Sequence, residues 1–512
     1  FESLRVYKKG FPNKGNPFIY LISFYICGII RLFCVSLQIM KQTYLRNYII
    51  FLFILVSATL LASNKSGGLI SYPGGKCYMF HVTLKDKNGT PYSLDKPEKF
   101  LSKASLLRRE RQGLKLDSTD LPVSPDYIQQ IKKRGGKVVA VSKWNNSVLV
   151  RGNNRQTLED LKVLSFVKDS KLVFVSPDSI RPLSQRVRYN SELQSLDSTV
   201  HDYYGMGKGQ IESLNGRKLH NLGFMGQGMT IAVLDAGFMN VDKIAAFRNL
   251  NIKGTHNFVA GYDNDVYKEM DHGTKTLSTI AMNQPTVFVG TAPKADFWLL
   301  RTEDYSTESP AEEDFWIAAV EFSDSVGVDI ISSSLGYHGF DDISMNYRYA
   351  DLNGRTAAIS QAASRLASKG MILVNSAGND GMGTWKKINV PADAHDILTV
   401  GAVSLDKVNA PFSSIGPTAD GRIKPDVMAY GCPTNVVSGR GYIIPDNGTS
   451  FACPLIAGMV ACLWQACPNK SAKEILDIIR QSGNNCQSPD NIMGYGIPDF
   501  WSAYQSATRY NQ

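Results

Sequence analysis

Residues 447–458 read N-G-T-S-F-A-C-P-L-I-A-G: a glycine-threonine turn, a serine, then an apolar run. Leu455, Ile456, Met459, Val460 and Leu463 fall at helical spacing, which predicts a helix opening at Ser450 with Pro454 in its first turn. A serine hydroxyl is a poor nucleophile unless a base stands beside it. Alone, the stretch fits a buried structural helix equally well.

Two other segments change that balance. Residues 229–238, M-T-I-A-V-L-D-A-G-F, form an unbroken apolar run closing on a carboxylate and a glycine. Such a run fits a parallel strand buried on both faces, and open α/β sheets place ligands at the carboxyl ends of their strands. Residues 271–281, D-H-G-T-K-T-L-S-T-I-A, put His272 at the start of a helix with an apolar later face. Taken singly, Asp235 reads as a turn aspartate and His272 as a structural histidine. Their order with Ser450, at gaps of 37 (272 − 235) and 178 (450 − 272) residues, matches the Asp, His, Ser order of subtilisin and not that of chymotrypsin or the α/β-hydrolases.

Three more segments fit the same pattern. Residues 371–381 (M-I-L-V-N-S-A-G-N-D-G), 330–336 (I-I-S-S-S-L-G) and 412–427 (F-S-S-I-G-P-T-A-D-G-R-I-K-P-D-V) stand between the histidine and the serine. Over roughly residues 205–506 the chain resembles the subtilisin-like serine peptidases, the subtilases. The resemblance implies a doubly wound α/β fold around a mostly parallel sheet. It implies a triad of Asp235, His272 and Ser450, with Asn379 as the side-chain donor of an oxyanion hole. It further implies that Ser334, Leu335 and Gly336 pair with a polypeptide substrate, that the chemistry needs no cofactor, and that calcium is an optional structural ion. The sequence departs from the usual family pattern at Ala236, at the K-T-L-S run after His272, and at Cys453. None of these removes a reacting group. The alternative is a catalytically silent binding protein on the same scaffold, against which the intact Asp235, His272, Ser450 and Asn379 argue.

The preceding sequence reads as a precursor. Met40, Lys41 and Arg46, an apolar run at 48–61 and small polar residues after it give the pattern of a secretory signal peptide over 40–63. Residues 1–39 then read as translated upstream sequence or, through the apolar run 18–39, as a membrane anchor, the one route to a membrane in this chain. Residues 76–175 predict strands at 78–84, 137–142, 147–151 and 171–175 and helices at 124–134 and 155–164, a ferredoxin-like β-α-β-β-α-β plan with an extra basic helix at 100–112. The plan resembles a subtilase propeptide, which implies an intramolecular inhibitor; the alternative is an ordinary accessory domain. Residues 176–204 read as a linker and 205–512 as the peptidase domain.

Charge follows these divisions. Residues 63–204 carry 24 basic and 14 acidic side chains, whereas 205–512 carry 24 and 31. The net charge of +9 therefore comes from the N-terminal parts and gives no reason to expect nucleic-acid binding; a basic pro segment instead complements an acidic enzyme. No metal-ligand spacing surrounds the eight cysteines. Cys467 and Cys486, on either side of a predicted helix at 471–481, are the best candidates for a disulfide. Asp263-Asn264-Asp265, Glu312-Glu313-Asp314 and Asp341-Asp342 are the candidate calcium ligands, each more simply read as a solvated acidic loop.

Overall fold

The computed structural model describes residues 69–181, 186–193 and 202–509. The expected signal peptide and the anchor alternative lie outside the described residues. The first layer is a four-stranded sheet of β1 (Tyr78–Leu84), β2 (Lys137–Ser142), β3 (Ser147–Gly152) and β4 (Val167–Val175). Its order is β2-β3-β1-β4, antiparallel throughout. Helices α1 (Lys103–Arg111), α2 (Pro125–Lys133) and α3 (Gln156–Lys162) complete it. Without α1 this is the ferredoxin-like plan. β4 begins earlier than the apolar pattern indicated, because the exposed stretch after Val167 still pairs with β1.

The second and larger sheet is fully parallel. It comprises β5 (Thr230–Asp235), β6 (Asn251–Asn257), β7 (Asp296–Arg301), β8 (Ile330–Ser333), β9 (Ile372–Ser376), β10 (Leu398–Ser404) and β11 (Val427–Cys432). The order is β11-β10-β9-β8-β5-β7-β6. Alternation on β5 explains its unbroken apolar run. Ile231 and Val233 enter a core with helices α4 (His272–Ala281) and α6 (Thr449–Ala466), while Ala232 and Leu234 enter a second core with α5 (Ala311–Val326). A strand with both faces buried cannot alternate apolar with polar residues.

After β5 the chain runs to β6 and β7 on one side and then crosses to β8 on the other. The carboxyl ends of β5 and β8 therefore flank a topological switch point, where doubly wound sheets bind ligands. α6 is the only described helix long and apolar enough to cross a membrane, and most of it is buried in the core.

The first sheet lies against α5 of the second layer. Tyr72, Met79, Leu149 and Phe174 from one side share an apolar cluster with Ala311 and Phe315 from the other.

Two sequence expectations change here. Glu312, Glu313 and Asp314 occupy the first turn of α5 and are buried rather than solvated. Their carboxylates have protein partners: Glu312 accepts from Asp304 N and Ser309 N, Glu313 from the Tyr347 hydroxyl, and Asp314 pairs with His81 at 2.8 Å. Acids at a helix start also meet its positive end. Among the described residues no group of acidic, histidine or cysteine side chains is arranged to hold a metal ion. Cys467 and Cys486 are free thiols, as are the other described cysteines. The ten-residue helix Ala472–Gln481 between them is about 15 Å long, beyond disulfide reach unless the chain doubles back.

Candidate active site

Asp235 closes β5 and is fully buried. One carboxylate oxygen accepts the backbone N–H of Ala236 at 2.8 Å and faces His272 Nδ1 at 2.8 Å; the other accepts the Thr276 hydroxyl at 3.1 Å. His272 is the first residue of α4, and Thr276, four residues on, lies on the same helix face. The imidazole remains 32% exposed while its partner is wholly buried, so one ring nitrogen is fixed by the carboxylate while the ring keeps access to solvent. Burial alone would lower the imidazole pKa, but the Asp235 carboxylate overrides it and raises the value above the ordinary histidine range.

Ser450 lies in the first turn of α6, which opens at Thr449. The Phe451 ring lies 5.8 Å from the His272 ring, which brings the start of α6 beside the start of α4. Among the described residues no hydrogen bond joins the Ser450 hydroxyl to His272, a contact that commonly tightens only when substrate binds.

Pro454 is not in the first turn, as the sequence pattern had implied, but inside the helix. Proline has no N–H to give to the carbonyl four residues earlier, which here is that of Ser450. The Ser334 hydroxyl takes the vacant place and donates to Ser450 O at 2.8 Å. Cys453 fastens the same turn from below, its thiol donating to the carbonyls of Val374 and Ser333. Burial pushes that thiol up to about 12, so it stays protonated and able to donate.

Asn379 stands in the turn after β9. Its side-chain oxygen accepts both the backbone N–H and the hydroxyl of Thr449, each at 3.0 Å, and Thr449 also donates to Gly378 O at 3.2 Å. With the oxygen held, the amide NH2 is left as the free end, in an exposed position next to Ser450. Ser334, Leu335 and Gly336 continue from β8. Asn375 donates to Leu335 O at 3.0 Å, and a Cβ on Gly336 would lie 3.0 Å from that of Asn389. The seven residues singled out from the sequence thus gather at the carboxyl ends of β5, β8 and β9 and the starts of α4 and α6.

Sequence reasoning missed Thr276, the linking role of Thr449 and the bond from Ser334 to Ser450. Thr276 could have been found from its spacing to His272. The other two join segments far apart in sequence and leave no local pattern.

A protein-family model described as the subtilase family matches residues 226–496, more than half of the chain. The chain belongs to the subtilase family. A second model, described as a peptidase S8 propeptide domain of Bacteroidota, matches residues 79–191, so the antiparallel layer of this subtilase is a propeptide domain. Among curated relatives, subtilisin E of Bacillus subtilis is 27% identical over 349 residues, 68% of this chain and 78% of the relative. Subtilisin NAT of Bacillus subtilis subsp. natto matches with the same identity and coverage. Subtilisin Savinase of Lederbergia lenta is 28% identical over 280 residues, 54% of this chain and 91% of the relative. The family and these relatives mark the chain as a serine peptidase, and the fold is the doubly wound α/β architecture expected of it.

Proposed function

We propose that this subtilase is a secreted serine endopeptidase made as a zymogen, with Asp235, His272 and Ser450 as its triad. The observation that carries the reading is the hydrogen bond from His272 to buried Asp235 at the switch point, with Asn379 pinned beside Ser450. Asp235 holds the imidazole with Nδ1–H toward the carboxylate and Nε2 free to act as base. As the Ser450 oxygen attacks a peptide carbonyl, His272 takes its proton, and the Asp235 carboxylate stabilises the imidazolium that forms. The carbonyl oxygen gains negative charge and is met by the Asn379 amide and the backbone N–H of Ser450. His272 returns the proton to the departing amine, leaving an acyl group on Ser450. A water molecule, deprotonated by His272, then releases the acid and restores the serine. Side chains and backbone N–H groups suffice for every step.

Ser334, Leu335 and Gly336 form the edge along which an extended polypeptide pairs. The propeptide domain, docked on α5, acts as intramolecular inhibitor until it is removed from the peptidase domain. The test is labelling of the full-length chain with a fluorophosphonate probe beside Ser450→Ala. Labelling that vanishes in the variant supports the reading, including labelling that appears only after the propeptide is removed. Silence from folded, processed protein overturns it.

A further inference from the structure

The helix α1 is an addition to the propeptide plan, and it docks far from the active site. Arg108 and Arg109 on α1 are 1% and 3% exposed, unusual for arginines outside a paired site. Arg108 Nη2 meets Asp324 Oδ1 at 2.6 Å, Nη1 donates to Val328 O at 2.5 Å, and Nε donates to Lys369 O at 3.3 Å. Arg109 grips Asp324 with both terminal nitrogens, at 2.8 and 3.0 Å, and reaches Asp120 at 3.1 Å. Lys143 of the propeptide adds a third cation to Asp324 at 3.0 Å. The exchange is reciprocal: peptidase Lys369 extends to propeptide Asp120 at 2.9 Å.

The receiving surface is built for a cation. Gly327 and Gly370, both left-handed, end α5 and the short helix Leu366–Lys369, so two helix carbonyl ends converge there, and such ends attract positive charge. The same glycines let α1 approach closely. A Cβ on Gly327 would lie 2.4 Å from Ala104 Cβ, and one on Gly370 would lie 2.8 Å from the Gln112 amide. Among the described residues every cation on Asp324 belongs to the propeptide, so its departure leaves an anionic hole in the peptidase.

The hole lies at the amino end of the parallel sheet, just before β8 and β9, whereas Ser334 and Asp235 lie at the carboxyl end. Val328 and Ser334 are six residues apart (334 − 328) and flank β8 (Ile330–Ser333) at its two ends, about 20 Å for a fully extended segment.

We propose that this hole is a guanidinium-recognition site, remote from the triad, by which the peptidase retains its propeptide after the connecting chain has been cut. Its occupant is the insert helix α1. A fork of fixed N–H donors suits two carbonyls and a carboxylate where a lysine ammonium does not. This inference rests on the propeptide being cut from the peptidase, as proposed above.

The test uses the full chain and follows two events separately, the first self-cleavage on a gel and the release of the propeptide by size-exclusion with the onset of peptidase activity. In Arg108→Ala/Arg109→Ala the cut is expected at the wild-type rate within about two-fold, because the triad is at the other end of the sheet. Release is expected about 100-fold sooner, the scale for stripping a buried charge of its partners, with Arg108→Lys intermediate. Equal retention by the double variant and the wild type overturns the inference.

Hydrogen exchange on the Ser450→Ala chain gives a reading that depends on neither processing nor the arginine variants folding. Amides of Lys103–Arg111 exchanging as slowly as those of β1 and β3 support the anchor. Exchange at the rate of an undocked helix overturns it. A wild-type chain that neither cuts itself nor takes the probe counts against the peptidase reading alone, and the anchor is then judged by this exchange.

Discussion

Ser334→Ala and Pro454→Ala should be strongly coupled, although the two residues lie on different elements and 120 positions apart (454 − 334). Pro454 deprives the Ser450 carbonyl of its helical partner, and the Ser334 hydroxyl replaces it at 2.8 Å. Both serines are 8% exposed, so removing the hydroxyl strands an acceptor with little access to water. A stranded buried acceptor costs about 1–3 kcal/mol, whereas a satisfied exchange is worth about 1 kcal/mol or less. In the Pro454→Ala background the new N–H at 454 can close the helical bond, so Ser334→Ala should cost only the smaller amount there. The difference is a coupling energy of about 1 kcal/mol, above the roughly 0.3–0.5 kcal/mol scatter of independent sites. The cycle is measured by urea unfolding in the Ser450→Ala host, which prevents self-digestion, with constant m as a check. Exchange of the amides in the first turns of Thr449–Ala466 reads it locally. Additivity within about 0.5 kcal/mol would refute the view that Ser334 completes the helix that carries Ser450.

Four further outcomes are expected. Asn379→Ala should lower kcat by about 100- to 1,000-fold with little change in KM, the range found when subtilisin loses its oxyanion-hole asparagine; Thr449→Val, which removes one of two bonds to the Asn379 oxygen, should cost only about five-fold. The acid limb of kcat/KM should lie above the ordinary histidine value, since His272 must be neutral to act and Asp235 raises its pKa; Asp235→Asn should shift that limb to lower pH and reduce kcat by several orders of magnitude. His81 at the propeptide interface also has a raised pKa, because Asp314 outweighs burial. A raised folded-state pKa contributes stability that is present at low pH and lost as pH rises through it, so the cut propeptide should dissociate faster at about pH 9 than at about pH 6, and His81→Gln should flatten that dependence. Finally, dithiothreitol should leave the thermal midpoint of the described body unchanged, because its cysteines are free thiols; a drop of several degrees would reveal a disulfide.

The architecture was legible because burial on both faces imposes a visible signature. β5 reads as an unbroken apolar run, and the start of α4 is marked by a histidine ahead of an apolar face. Tertiary contact altered what composition alone indicated at the edges. The acids at 312–314 read as a solvated loop, yet a helix start, two backbone N–H groups, a tyrosine and a histidine from the propeptide make their burial tolerable. The Cys467 and Cys486 pairing failed because flanking a helix places two residues at its opposite ends, a geometric consequence that spacing in sequence conceals.

The functional residues divide in the same way. Asp235, His272 and Ser450 could be singled out because each ends a strand or lies where a helix opens, and such boundaries have local sequence marks; Asn379, in the turn after β9, was named only through the resemblance to the subtilases. The residues that hold them act across the fold: Thr449 on Asn379, Ser334 on Ser450, Asp324 on the propeptide arginines. A proline placed where the helix should donate, and arginines at 108 and 109 in a helix surplus to its domain, are each an anomaly locally. Each is resolved by a partner more than 100 positions away. Local departures from secondary-structure chemistry in this chain are therefore where its long-range contacts should be sought, and Pro454 and α1 lead to the two ends of the same sheet.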